Sequence, residues 1–211
     1  MLPECVFGFV PGKHGVLEAA KKHCGAQWVY SLDLRDFFPS IKTQQVVEGI
    51  KSIGYSMHAA DVISRLCTLN GKLPQGSPAS PVLSNLVFLQ TDAELVKIAA
   101  NYGVRYTRYA DDLVFSGVAA VPNGLQETVN ALLIEHGWQI AGEKEHLSVL
   151  PARLKVHGLL VHGENPRLTK GYRNRVRAYR HLIANEKVAA KDMAKIKGHI
   201  AYALLIESSC E

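Results

Sequence analysis

Two adjacent carboxylates, Asp111 and Asp112, stand where two short apolar runs meet in Arg105-Tyr-Thr-Arg-Tyr-Ala-Asp-Asp-Leu-Val-Phe-Ser116. Strand-like runs bounded by a tight turn read as a β-hairpin, and this one carries its acids at the tip. Paired carboxylates repel one another unless a cation or a catalytic role offsets the repulsion. Alone, an Asp-Asp pair more often does no more than solvate a turn. A third acid changes the weighting. Trp28-Val-Tyr-Ser-Leu-Asp-Leu-Arg-Asp-Phe-Phe-Pro-Ser-Ile41 reads as a buried strand running into a turn, with Asp33 where the apolar run breaks. If the two strands lie side by side, three carboxylates share one sheet edge, a donor set suited to Mg²⁺. Two such ions roughly 3.5 to 4 Å apart clamp the attacking and leaving oxygens of an in-line phosphoryl displacement. Residue types and strands are legible here; the pairing of the strands is not.

The elements that must position these acids follow from periodicity. His14 to His23 reads as a short helix ended by Gly25, ahead of the Asp33 strand. Lys42 to Ile50 and His58 to Leu69 read as two helices, the second stopped by Asn70-Gly71. Pro78 to Ala100 reads as one long helix with Val82, Leu86, Leu89, Ala93 and Val96 at three- and four-residue steps. Gln75-Gly76 then lies just before a helix start, a placement that suits a nucleotide site. After the hairpin come an amphipathic helix over Gly124 to His136, a turn between strands over Trp138 to Val149, and a strand over Leu154 to Val161. The alternation predicts an α/β (α+β) fold with a split βαβ antiparallel sheet.

A chain of 211 residues with 47% hydrophobic content can bury one sizeable core, in one domain or two. It holds no run of about 18 apolar residues to span a bilayer, and Met1-Leu-Pro-Glu-Cys5 lacks the basic start of a secretory signal. The expectation is a cytoplasmic protein with no membrane partner. Cys5, Cys24, Cys67 and Cys210 lack C-x-x-C spacing and read as free thiols. The nine histidines form no H-x-x-x-H pair, so no zinc site is expected.

The net charge of +5 is unevenly spread. Residues 1–150 hold 12 Lys or Arg against 14 Asp or Glu, whereas residues 151–211 hold 12 against 5. The surplus centres on Lys170-Gly-Tyr-Arg-Asn-Arg-Val-Arg-Ala-Tyr-Arg180, an expected helix carrying five cations, with another helix over Val188 to Ile206. A charge run is commonly a solvated face. Arginines interleaved with Tyr172 and Tyr179 can also track phosphates while the rings stack on bases or sugars.

The Asp33 segment, Leu73-Pro-Gln-Gly-Ser-Pro-Ala-Ser-Pro81 and Tyr109-Ala-Asp-Asp112 resemble, in order and spacing, motifs A, B and C of reverse transcriptases. The wording of the first two is similar to the bacterial retron and group II intron type. Phe7-Gly-Phe-Val-Pro-Gly-Lys13 resembles the retron fingers segment, with Lys13 where Arg is usual. Ala19-Ala-Lys-Lys-His23 resembles its Asn-Ala-x-x-His motif, with Ala19 in place of Asn. The stretch around Lys144 resembles motif D and Leu154 to Val161 motif E, where Val156-His-Gly158 resembles a Val-Thr-Gly triplet with His157 replacing Thr.

The resemblance implies a polymerase palm over residues 28–161, partial fingers over 1–27 and a short, basic helical thumb over 162–211. It implies an RNA-directed DNA polymerase using two Mg²⁺ ions, with Mn²⁺ as a substitute, held by Asp33, Asp111 and Asp112. Asp36 is expected as a turn acid facing solvent. Leu34, Phe38, Gln75, Gly76, Lys144 and Lys13 would line the nucleotide, Phe38 as the ring that excludes a 2′-hydroxyl and Lys144 near the leaving pyrophosphate. Gly158, Lys170, Arg173, Arg175, Arg177 and Arg180 would touch nucleic acid. The implied partners are an RNA template and primer, deoxynucleoside triphosphates and a cognate structured RNA. Relatives carry more fingers sequence ahead of Phe7, so a fragment, a minimal enzyme and a partner chain that supplies fingers all remain open. So do two other functions, a template-independent DNA polymerase and a non-catalytic RNA-binding scaffold.

Overall fold

Trp28, Tyr30 and Leu32 alternate with Val29, Ser31 and Asp33, so a strand built from this run must present two different faces. In the computed structural model, which describes residues 2–12 and 15–208, that run is the strand β1 (Trp28–Asp33). Lys13 and Cys210 lie outside the described residues. A short helix α1 (Gly15–Lys22) precedes β1, and α2 (Phe37–Ser40), α3 (Thr43–Ser52) and α4 (Met57–Cys67) follow it. Next come α5 (Ser80–Val87), α6 (Leu89–Asn101), the hairpin of β2 (Arg105–Tyr109) and β3 (Asp112–Gly117), and α7 (Leu125–Glu135). A 3₁₀ turn (Gly142–Lys144) leads into β4 (His146–Val149). The rest comprises β5 (Lys155–Val156), β6 (Leu159–Leu160), β7 (Arg167–Leu168), α8 (Lys170–Ala184) and α9 (Ala190–Ser208).

The main sheet runs in the order β2-β3-β1-β4, every neighbouring pair antiparallel. This is the split βαβ arrangement expected from the alternation of elements. Its two faces have separate cores. Trp28, Tyr30, Leu32, Leu113 and Phe115 pack with α3, α5, α6 and α7, and with the ring cluster of Phe37, Phe88 and Trp138. Val29 and Val114 face the other way, into a core shared with Leu17 and Ala20 of α1, Val156 and Leu159 of the second sheet, and Val176 of α8. Burial on both faces explains why β1 and β3 are apolar almost throughout.

Two expected elements differ. The long helix over Pro78 to Ala100 is divided at Phe88, whose ψ of −5° departs from the helical value near −42°. Phe88 is fully buried, its ring 4.7 Å from that of Trp138 and 4.5 Å from the Arg108 guanidinium, so packing overrides a sequence pattern that would continue the helix. The stretch Leu154 to Val161 is not one strand but the β5–β6 hairpin, turned by His157 (φ 48°) and Gly158 (φ 84°) and paired through β6 with β7. Positive φ at both central residues is the pattern of a type I′ turn, which normally announces itself with Asn or Asp before Gly. No helix among the described residues is long and apolar enough to cross a membrane.

Candidate active site

The pairing left open by the sequence places Asp33 directly opposite Asp112 as cross-strand partners, at the ends of β1 and β3. Asp111 sits in the two-residue turn between β2 and β3, and its carbonyl accepts from Leu34 N–H at 3.0 Å. The three carboxylates therefore gather at one end of the sheet. Burial, then the neighbouring charges of Asp33 and Asp112, push the Asp111 carboxyl above the ordinary aspartate range. Two basic side chains meet the flanking acids. Lys144, carried in by the 3₁₀ turn before β4, places Nζ 2.8 Å from Asp33 Oδ1. That contact raises the Lys144 pKa. His157 places Nδ1 2.9 Å from Asp112 Oδ2.

Among the described residues no three His, Cys, Asp or Glu side chains already converge as a metal cage. The donor set nonetheless fits a hard divalent cation, because it is all oxygen and Asp111 is repelled by both neighbouring carboxylates, an effect that Lys144 offsets only in part. Asp33, Asp111 and Asp112 are the residues that would hold it.

Beside the acids a cleft of about 430 Å³ is lined by Asp33 to Pro39, Gln75, Asp111, Ala141, Glu143 and Lys144. Phe37 and Phe38 face different surroundings. Phe37 is buried against Phe88 and Trp138, while Phe38 is half-buried and lines the cleft. Asp36 is exposed at φ 47°. Gln75 and Gly76 are exposed in the turn before α5, where Gly76 takes φ 91° and has open space beside it. Leu34 also lines the cleft, with its side chain in the main core and its N–H donated to the Asp111 carbonyl.

The basic segment also differs in detail. Lys170, Arg173, Arg175, Arg177 and Arg180 are exposed on α8, and helical spacing puts all but Arg175 on one flank. Arg180 meets Glu207 of α9 at 3.8 Å. Tyr172 and Tyr179, expected between the arginines as stacking rings, turn instead toward α9. The Tyr172 hydroxyl lies 2.9 Å from His199 Nδ1, and both rings pack on that imidazole. Their positions share the stripe of buried Val176, which is what draws them inward. Gly158 is exposed in the β5–β6 turn.

Support for the acidic turn comes from residues whose role the sequence pattern does not reveal. Arg108 is fully buried and paired with Asp92 of α6, Nη2 to Oδ2 at 2.6 Å and Nε to Oδ1 at 2.9 Å. Its Nη1 donates to Asn85 Oδ1 at 2.9 Å and to the Ala110 carbonyl at 3.0 Å. Ala110 has φ 55°, a conformation disfavoured for a residue with a β-carbon, and the arginine holds it there. From outside, Gly8 lies so close that a β-carbon on it would stand 2.5 Å from Ala110 N. A cation inside the strand run Tyr106-Thr-Arg-Tyr109 and an acid on the apolar side of α6 were the available signals.

A split antiparallel sheet with carboxylates on neighbouring strand ends beside an open cleft defines a polymerase-type palm. The chain belongs to the family described as reverse transcriptase (RNA-dependent DNA polymerase), whose profile it matches over residues 1–191. It is 30% identical over 203 residues to the retron Ec86 reverse transcriptase of Escherichia coli, covering 93% of this chain and 61% of the relative. It is 33% identical over 223 residues to the retron Mx65 reverse transcriptase of Myxococcus xanthus, covering 94% and 51%. The chain thus spans between about half and three fifths of the length of these two relatives. Among solved structures, telomerase from Candida tropicalis in complex with the TWJ fragment of telomeric RNA superposes with a TM-score of 0.54 at 10% identity. That match covers 88% of this chain and 38% of the telomerase. At that identity the likeness is one of fold.

Proposed function

We propose that this chain carries the catalytic palm of a retron-type reverse transcriptase, which adds deoxynucleotides to a primer 3′-hydroxyl as directed by an RNA template. The observation that carries the reading is the register of Asp33 opposite Asp112 with Asp111 in the adjoining turn, beside a cleft bordered by Phe38, Gln75 and Lys144. Divalent cations bound by these acids would supply charge neutralisation at the attacking and leaving oxygens. The protein's own groups position and exclude. Phe38 occupies the side of the cleft where a 2′-hydroxyl would meet a ring. Gly76, free of a β-carbon at positive φ, lets a nucleotide approach the main chain before α5. Lys144 holds Asp33 and stands ready to hand a proton to a leaving phosphate oxygen. Residues 1–27, 28–161 and 162–211 then act as fingers, palm and thumb. The exposed flank of Lys170, Arg173, Arg177 and Arg180 tracks the phosphates of the template and primer, with a cognate structured RNA as the natural substrate class.

Primer extension on an RNA template with Mg²⁺, varying the templating base, tests this. The expected result is addition of the complementary deoxynucleotide, lost by at least about a thousandfold in Asp111→Asn/Asp112→Asn. Addition that ignores the templating base would replace the reading with template-independent polymerisation. A folded chain that binds RNA and adds nothing would replace it with a binding scaffold, or show that fingers from a partner chain are required.

A further inference from the structure

The turn residue His157 bears two costs and makes one contact that accounts for them. Its φ of 48° lies in the left-handed region, where Asn or Gly fits a type I′ turn more easily than an imidazole does. Its side chain is only 7% exposed, and its Nε2 is buried with no hydrogen-bond partner. Leaving a buried polar atom unpaired is unfavourable. Against these stands Nδ1, 2.9 Å from Asp112 Oδ2, with the ring held 5.4 Å from that of Tyr109, the residue that opens the acidic turn. A carboxylate oxygen accepts, so Nδ1 carries the hydrogen.

We propose that His157 is a positioning residue for the cation site. By binding one oxygen of Asp112 it fixes the orientation of that carboxylate and leaves the other oxygen as the ligand shared with Asp33 and Asp111. The inference rests on the proposed reading of the three acids as cation ligands. Hydrogen bonds to ligating carboxylates matter because a ligand that must first be ordered binds more weakly, and removing such a partner commonly costs 10- to 100-fold in metal affinity.

His157→Asn and His157→Gly separate the turn from the hydrogen bond. Both residues suit positive φ before glycine, but only the Asn amide can place a donor near the position of Nδ1. Mn²⁺ binding to the free protein, without nucleotide or RNA, is measured by electron paramagnetic resonance, alongside a thermal melt and the Asp111→Asn variant. The expected result is about a tenfold weaker affinity for the Gly variant, most of it restored in the Asn variant, with both variants folded. Wild-type affinity in the Gly variant while Asp111→Asn loses binding would overturn the role of His157 and leave the acids as ligands. Equal loss in Asn and Gly would overturn it as well, because the donor would not matter. Unchanged binding in Asp111→Asn would remove the reading of the acids and this inference with it. Should the Gly variant fail to fold, His157→Ala gives the same comparison, having no donor and adding no charge beside Asp112.

Discussion

Asp111 stands half-buried between two other carboxylates, and burial first, then those like charges, raises its proton affinity at a cost to the fold. An aspartate whose folded pKa exceeds its unfolded one binds more protons when folded, so stability falls as pH rises through that interval and the cost is present at neutral pH. Asp111→Asn removes the repulsion. In metal-free buffer at pH 7 the variant is expected to melt higher than the wild type by roughly 1–3 °C, a figure discounted for solvent screening. Mg²⁺ is expected to raise the wild-type midpoint and leave the variant's unchanged. A lower midpoint in the metal-free variant would mean that Asp111 is held by favourable contacts. The acids were visible in the sequence because their types and spacing are local. Their two basic partners were not equally visible: Lys144 stood in a recognisable segment, whereas the contact of His157 with Asp112 depends on a hairpin that nothing in its neighbours marks.

At the scale of elements, α1 is fastened to the β2–β3 hairpin by His23, whose Nδ1 lies 2.7 Å from Ser116 Oγ and whose Nε2 lies 2.7 Å from Thr107 Oγ1. Neutral imidazole satisfies both hydroxyls, one nitrogen donating and the other accepting. Burial first, then the charges of His157 and Arg105, lower its pKa from 6.5 to about 3. The unfolded chain takes up a proton near pH 6.5 and the folded one does not, so this contribution is intact above about pH 6.5 and is lost as pH falls toward 3. Between pH 7 and pH 5 the wild type is expected to lose about 2 kcal/mol from this group alone. Urea unfolding of wild type and His23→Gln at the two pH values checks it: the variant is less stable at pH 7 and shows a smaller pH dependence. Identical pH dependence would show that His23 is not the buried neutral group. Such bridges between elements are tertiary facts, which explains why helix periods and the hairpin could be read from sequence while the break at Phe88 could not.

Across the whole molecule, charge is segregated as the sequence indicates, with the positive surplus after residue 150 and the acids at the sheet end. Under the proposed function the cations on one exposed flank of α8 would neutralise phosphates without reading bases, so Arg173→Glu/Arg177→Glu is expected to weaken RNA binding to a similar degree for unrelated sequences. The slope of log affinity against log salt should fall by about one for each phosphate no longer neutralised. Fluorescence anisotropy at several salt concentrations measures both, and an unchanged slope would assign RNA binding to another surface. The sheet order was only partly legible. Alternation fixes which side chains share a face, but the register that sets Asp33 against Asp112 is chosen by packing on both faces of β1.

The buried pair of Arg108 and Asp92 carries a consequence for how such chains diverge. Removing either partner strands an uncompensated charge at a cost of about 3–5 kcal/mol, whereas exchanging both for apolar residues is often tolerated. The carbonyl of Ala110 and the side chain of Asn85 depend on the same guanidinium. A single change at either position is therefore expected to leave a poorly folded chain, whereas a joint change can be tolerated. The two residues are thus expected to change together, bound to the turn that presents the acids.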